Sequence, residues 1–199
     1  MATGSLVMTG ARCVLDVGSV SRRAALAAAG LTVGGAVALG VFFAIGEPWG
    51  TINDASSILL SWATLPIALE VVRRNGRSLP LVAGAACDVV GVAVVTAFTS
   101  ALIVRRMTFE ESLLPILTGH ALIGSWLILV GLAAWSDAES RRPAAFALAG
   151  GAGLVATAGS IATSGMGSPV AAVGFVASII GTTAFYALLG RRRPPRSGR

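Results

Sequence analysis

Few residues in this chain of 199 can do chemistry: nine carboxylates and one histidine stand in a sequence that is 55% hydrophobic. Asp88 is the most telling. It lies within an apolar run, about 12 Å from the nearer end of that run at helical rise. An ion at that depth of a bilayer costs about 2.5–3.5 kcal/mol on insertion scales. Asp88 is therefore expected to face inward, to hold a proton, or to bond to a Thr or Ser hydroxyl of another helix. His120 is the second candidate, as a titrating group or as a neutral donor between helices. The two are expected at different depths, about 8 Å apart, and nothing in the sequence shows that they meet.

The third candidate is the stretch FFAIGEPWGTINDASS at 42–57. Gly46, Pro48 and Gly50 supply turn geometry. Trp49 suits the aromatic belt of a membrane interface. Asn53 or Asp54 is expected to cap the helix that follows. Glu47 and one of Asn53 and Asp54 are then surplus, and can line a mouth that admits a cation or a polar solute. Ser56, Ser57, Ser61 and Thr64 continue from this stretch and can extend it as a polar stripe. Asp88, His120, Glu47, Asn53 and Asp54 together form the expected solute or ion pathway. Glu70 and Arg74, at i and i+4, read as a structural ion pair near a helix end.

These groups need a scaffold, and the composition names it. Only 12% of the residues are charged and the mean hydropathy is +0.82, where a soluble domain carries about 25% charged residues. Six apolar runs, at about 24–46, 55–72, 80–104, 113–135, 143–163 and 169–190, are each long enough to cross a hydrocarbon core of about 30 Å. Unpaired backbone groups are not tolerated in lipid, so each run is expected to be a helix. Pro80, Pro143 and Pro169 stand at the starts of runs, where a missing N–H costs little. Thr108 and Glu111 have the spacing of a capping box. Pro66 is expected to kink the second run.

The fold expected is all-α: a polytopic integral membrane protein, a bundle of six transmembrane helices with both termini cytoplasmic. Residues 1–20 form an N-terminal tail without a signal peptide's apolar core; residues 21–190 form the membrane domain, and 191–199 a basic tail. Of the fifteen basic residues, all arginine, thirteen fall on one side of such a bundle, which the positive-inside rule makes the cytoplasmic side. Arg105 and Arg106 are the exceptions, beside Glu110 and Glu111. The expected location is a bacterial inner membrane. The expected partners are the lipid bilayer, anionic lipids at the C-terminal arginines, and a membrane-protein partner or a second copy of the chain. No nucleic-acid-reading surface is present in the sequence.

Small residues are abundant. Gly30 and Gly34, and Gly150, Gly151, Gly153 and Gly159, are expected to let helices approach closely. Two cysteines cannot build a four-thiolate cluster, nor one histidine a bis-histidine haem site, so no cofactor is expected. The chain has no lysine, which excludes Schiff-base chemistry, and it carries no hydrolase, phosphate-loop or metalloprotease motif. The sequence therefore points away from an enzyme. It favours a structural, accessory or regulatory membrane subunit first. The alternative is a small transporter or channel for a proton, cation or small polar solute, using Asp88 and His120.

Overall fold

The computed structural model describes residues 15, 17–75 and 78–192. Arg12, Cys13, Arg77 and the tail arginines 193, 196 and 199 lie outside the described residues. The described residues form six helices: α1 (Ser19–Ile45), α2 (Trp49–Arg74), α3 (Leu79–Ile103), α4 (Phe109–Ala134), α5 (Arg141–Ser164) and α6 (Pro169–Arg191). All six are long and apolar enough to cross a membrane. Their outward faces carry large apolar side chains, among them Val37, Leu59, Leu69, Val90, Leu132 and Val173. Small and hydroxyl-bearing residues such as Ala28, Ser61, Thr64, Gly91, Gly124 and Thr182 turn inward.

Helix ends follow the local chemistry. Pro80 and Pro169 occupy the first turns of α3 and α6. Thr108 and Glu111 cap α4 reciprocally: the Thr108 N–H donates to the Glu111 carboxylate at 2.8 Å, and the Glu111 N–H donates to Thr108 Oγ1 at 3.3 Å. α3 closes with Arg105 at a φ of 56°, the left-handed conformation that usually calls for glycine. That turn leaves Arg105 and Arg106 exposed.

The largest departure from expectation is at the start of α2. The helix begins at Trp49, six residues before the anticipated 55, because the turn is only three residues long. Gly46 reverses the chain at a φ of +84°. Asn53 and Asp54 therefore do not cap α2; they lie within it. The acceptor role falls to Glu47, whose carboxylate takes hydrogen bonds from the Thr51 N–H at 3.3 Å and the Thr51 hydroxyl at 3.1 Å.

Connections are short, so successive helices run antiparallel and pack side by side; α6 also packs on α1, which closes the six into a ring. Glycine sets the spacing on one side of that ring. A methyl group on Gly91 would stand 2.6 Å from the Gly119 carbonyl oxygen, across α3 and α4. One on Gly124 would stand 2.8 Å from the Gly151 carbonyl oxygen, across α4 and α5. Gly150 and Gly153 meet Gly181 and Gly174 in the same way, across α5 and α6. Such contacts gain dispersion energy where lipid removes the hydrophobic force between helices. Gly30, Gly34 and Gly159 do not contribute: nothing lies within 4 Å of where their side chains would be. The G-x-x-x-G pair of α1 faces away from the bundle.

One end of the ring is closed and rich in arginine. Leu15 and Val17, preceding α1, are buried in a cluster with Ile67, Val71, Val130, Ala134 and Leu189. Around this plug, Arg22 donates to the Arg192 carbonyl at 2.8 Å, and Arg192 donates to Ser140 Oγ at 3.2 Å and to the Glu139 carbonyl. Glu70 accepts from Arg73 at 2.9 and 3.0 Å and from Arg74 at 2.5 Å. The anticipated pair with Arg74 is thus part of a three-membered cluster.

Candidate functional site

At the opposite end the ring is not filled. A cavity of about 480 Å³ occupies its centre, and all six helices contribute to its wall. Phe43, Phe109 and Met166, each well exposed, stand at its rim. From Asp54 to Thr64 along α2, the cavity descends about 15 Å at helical rise. Its floor is formed by Thr64, Leu127 and Tyr186, and the apolar plug lies beneath.

The polar stripe of α2 faces this space. Asn53, Asp54, Ser56, Ser57, Ser61 and Thr64 all line it. The spacing 57, 61, 64 is that of one helix face. Glu47 does not line the cavity; it is occupied at the first turn of α2. A second stripe, Ser178, Thr182 and Tyr186, faces it from α6. Sequence reasoning missed this one, although Tyr186 is the only tyrosine in the chain and repeats the i, i+4 spacing from Thr182.

Asp88 lies behind the wall and is completely buried. Its carboxyl oxygens are 3.0 and 2.9 Å from Thr64 Oγ1 of the neighbouring helix. The same hydroxyl is 2.8 Å from the Ser61 carbonyl oxygen. A hydroxyl has one hydrogen and cannot serve both partners. If it goes to Asp88, the carboxyl accepts it, as an ionised carboxylate does. If it goes to the Ser61 carbonyl, Asp88 brings its own hydrogen to Thr64 as a neutral acid. Both arrangements use the same heavy-atom positions, and Thr64 is the side chain that stands between Asp88 and the cavity.

This pair also ties a seam that glycine does not. Among the described residues no glycine brings α2 and α3 together as at the seams from α3 to α6. Besides Thr64–Asp88, the Trp62 indole N–H donates to Thr96 Oγ1 at 3.1 Å on the outer side of the seam.

His120 lines the cavity from α4, with Nδ1 2.9 Å from the Ile116 carbonyl oxygen. A carbonyl only accepts, so Nδ1 carries hydrogen and Nε2 is the acceptor in the neutral ring. No hydrogen bond joins His120 to Asp88; α3 and α4 pack together through Gly91 and Gly119, and Asp88 turns to α2 instead. Two buried hydroxyls at the wall, those of Thr99 and Tyr186, have no partner among the described residues. Burying such a group unpaired costs about 1–3 kcal/mol. Among the described residues no group of His, Cys, Asp and Glu is arranged to hold a metal ion.

Comparison with protein families, curated proteins and solved structures finds no significant match to this chain.

Proposed function

We propose that the chain is a small carrier of a bacterial inner membrane, taking a small solute into the centre of a six-span bundle. The observation that carries this reading is the cavity itself. It stands above an apolar plug at the arginine end, its wall is mainly apolar with a few placed polar groups, and its volume is in the range of small-molecule sites. The exposed apolar faces of all six helices suit a hydrocarbon surround. By the positive-inside rule, the arginine distribution supports a plugged end in the cytoplasm, beside anionic headgroups, with the cavity mouth outside. Asp88 and Thr64 at the floor supply a group whose proton is coupled to what the cavity holds. A purely structural or accessory subunit has no need of such a space, so that reading takes second place.

The test is efflux from preloaded proteoliposomes, using small cationic, neutral and anionic solutes under an imposed pH gradient. At least one class is expected to leave faster than from empty vesicles, and Asp88→Asn is expected to slow it at least tenfold. If no class exceeds the empty-vesicle rate, or if Asp88→Asn moves solute as well as the native chain, the carrier reading fails.

A further inference from the structure

The hydrogen-bond accounting of the cavity wall points to the class of solute. Thr32, Ser56, Ser61, Thr157, Ser178 and Thr182 all line the cavity, and each donates its hydroxyl hydrogen to a carbonyl of its own helix. Their donors are spent, and lone pairs are what they retain. Asp54 contributes a carboxylate and His120 an acceptor nitrogen to the same wall. Among the described residues no arginine lines the cavity. At the mouth end, the carboxylates Glu47, Asp54, Glu110 and Glu111 outnumber the guanidiniums Arg105 and Arg106. Asn53, Ser57, Thr64, Thr99 and the Tyr186 hydroxyl add further polar groups, of which the unpartnered Thr99 and Tyr186 hydroxyls keep a donor each; the rest of the wall is apolar, with Phe43, Phe109 and Phe175 among it.

A mainly apolar wall whose acceptors outnumber its free donors, and which bears the Asp54 carboxylate and aromatic faces, matches a ligand with donors, positive charge and an apolar body. We infer that the cavity binds an organic ammonium ion: a protonated amine on a small apolar or aromatic body. An ammonium brings hydrogen-bond donors to the acceptors, and its charge meets Asp54 near the mouth, with Asp88 behind Thr64 adding attraction from beyond the floor. Aromatic faces also attract such cations. A carboxylate-bearing solute of the same shape finds no cation in the wall and meets like charge at the mouth. This inference deepens the carrier reading and rests on it for the cavity being a solute site.

The test uses three probes that share one body: biphenyl-4-methylamine, biphenyl-4-methanol and biphenyl-4-carboxylate. Saturable binding is measured by equilibrium dialysis against the protein in lipid nanodiscs at neutral pH, with empty nanodiscs subtracted. The amine is expected to bind at least tenfold tighter than the alcohol, and the carboxylate to show no saturable binding. Asp54→Asn is expected to weaken the amine at least fivefold and to leave the alcohol unchanged. Equal affinity of amine and alcohol overturns the inference. So does carboxylate binding as tight as the amine's, or no binding of any probe by the folded protein. An amine preference that survives in Asp54→Asn combined with Asp88→Asn also overturns it. Failure here is separable from failure of the carrier reading: efflux of neutral solutes without amine preference removes only the solute class. Amine binding without efflux removes only the carrier.

Discussion

Gly181→Ala is expected to destabilise the bundle by about 2–3 kcal/mol, the usual scale for overpacking. The added methyl would meet the Gly150 backbone nitrogen, with the Gly150 Cα at 2.6 Å and the Phe146 carbonyl oxygen at 2.9 Å. These are backbone atoms, which cannot swing aside as a flexible side chain can. α5 and α6 must separate, and the dispersion contacts along that seam weaken with distance. Gly34→Ala makes the matched control. Both substitutions gain the same helix propensity, about 1 kcal/mol, but nothing lies within 4 Å of the new methyl at Gly34. The control is therefore expected to be neutral or slightly stabilising. Thermal unfolding in detergent, followed by helical circular dichroism, separates the two; equal midpoints would remove glycine contact as the device that sets helix spacing.

That contrast shows where the sequence is legible. Helix number, and the ends fixed by Pro80, Pro169 and the Thr108–Glu111 box, follow from local chemistry. The direction a small-residue stripe faces does not. Gly30 and Gly34 have the spacing of a packing motif, and Gly150 and Gly181 share no motif at all, yet only the second pair touches. In a helix apolar on every side, the alternation that marks the buried face of a soluble helix is missing. The start of α2 was obscured for another reason. Two glycines, a proline and an Asn–Asp pair all signal a turn or cap, and the chain uses only the first few of them.

The second large effect is expected at Thr64. Thr64→Val keeps the shape of the side chain and removes the hydroxyl, leaving Asp88 fully buried without its donor. A loss of about 2–3 kcal/mol is expected, since an unpaired buried acceptor bears its full desolvation cost. Asp88→Val is expected to cost less in hydrogen bonding, because Thr64 still donates to the Ser61 carbonyl. Combining the two removes both polar partners and is expected to recover most of the Thr64→Val loss. A double-mutant cycle on unfolding midpoints measures this coupling. Strict additivity would mean that the Thr64–Asp88 contact does not hold the α2–α3 seam.

The site was partly readable for the same physical reason that makes it costly. A carboxylate in an apolar run demands a partner, and that singled out Asp88. The α2 hydroxyls at helical spacing gave one wall. Thr182 and Tyr186 on α6 escaped notice because hydroxyls in an apolar helix usually bond their own backbone, as Thr182 does. That six helices close into a ring, so that stripes on α2 and α6 face one space, is a property of packing.

The central claim is a cavity open only at the end opposite the arginines. Its most direct test is labelling of intact cells with a membrane-impermeant maleimide, in a chain with Cys13 and Cys87 replaced by alanine. Ser57→Cys, on the cavity wall, is predicted to react, and Val71→Cys, within the plug, to stay unmodified. Modification of Val71→Cys with Ser57→Cys untouched, or no reaction at Ser57→Cys at all, would contradict the account.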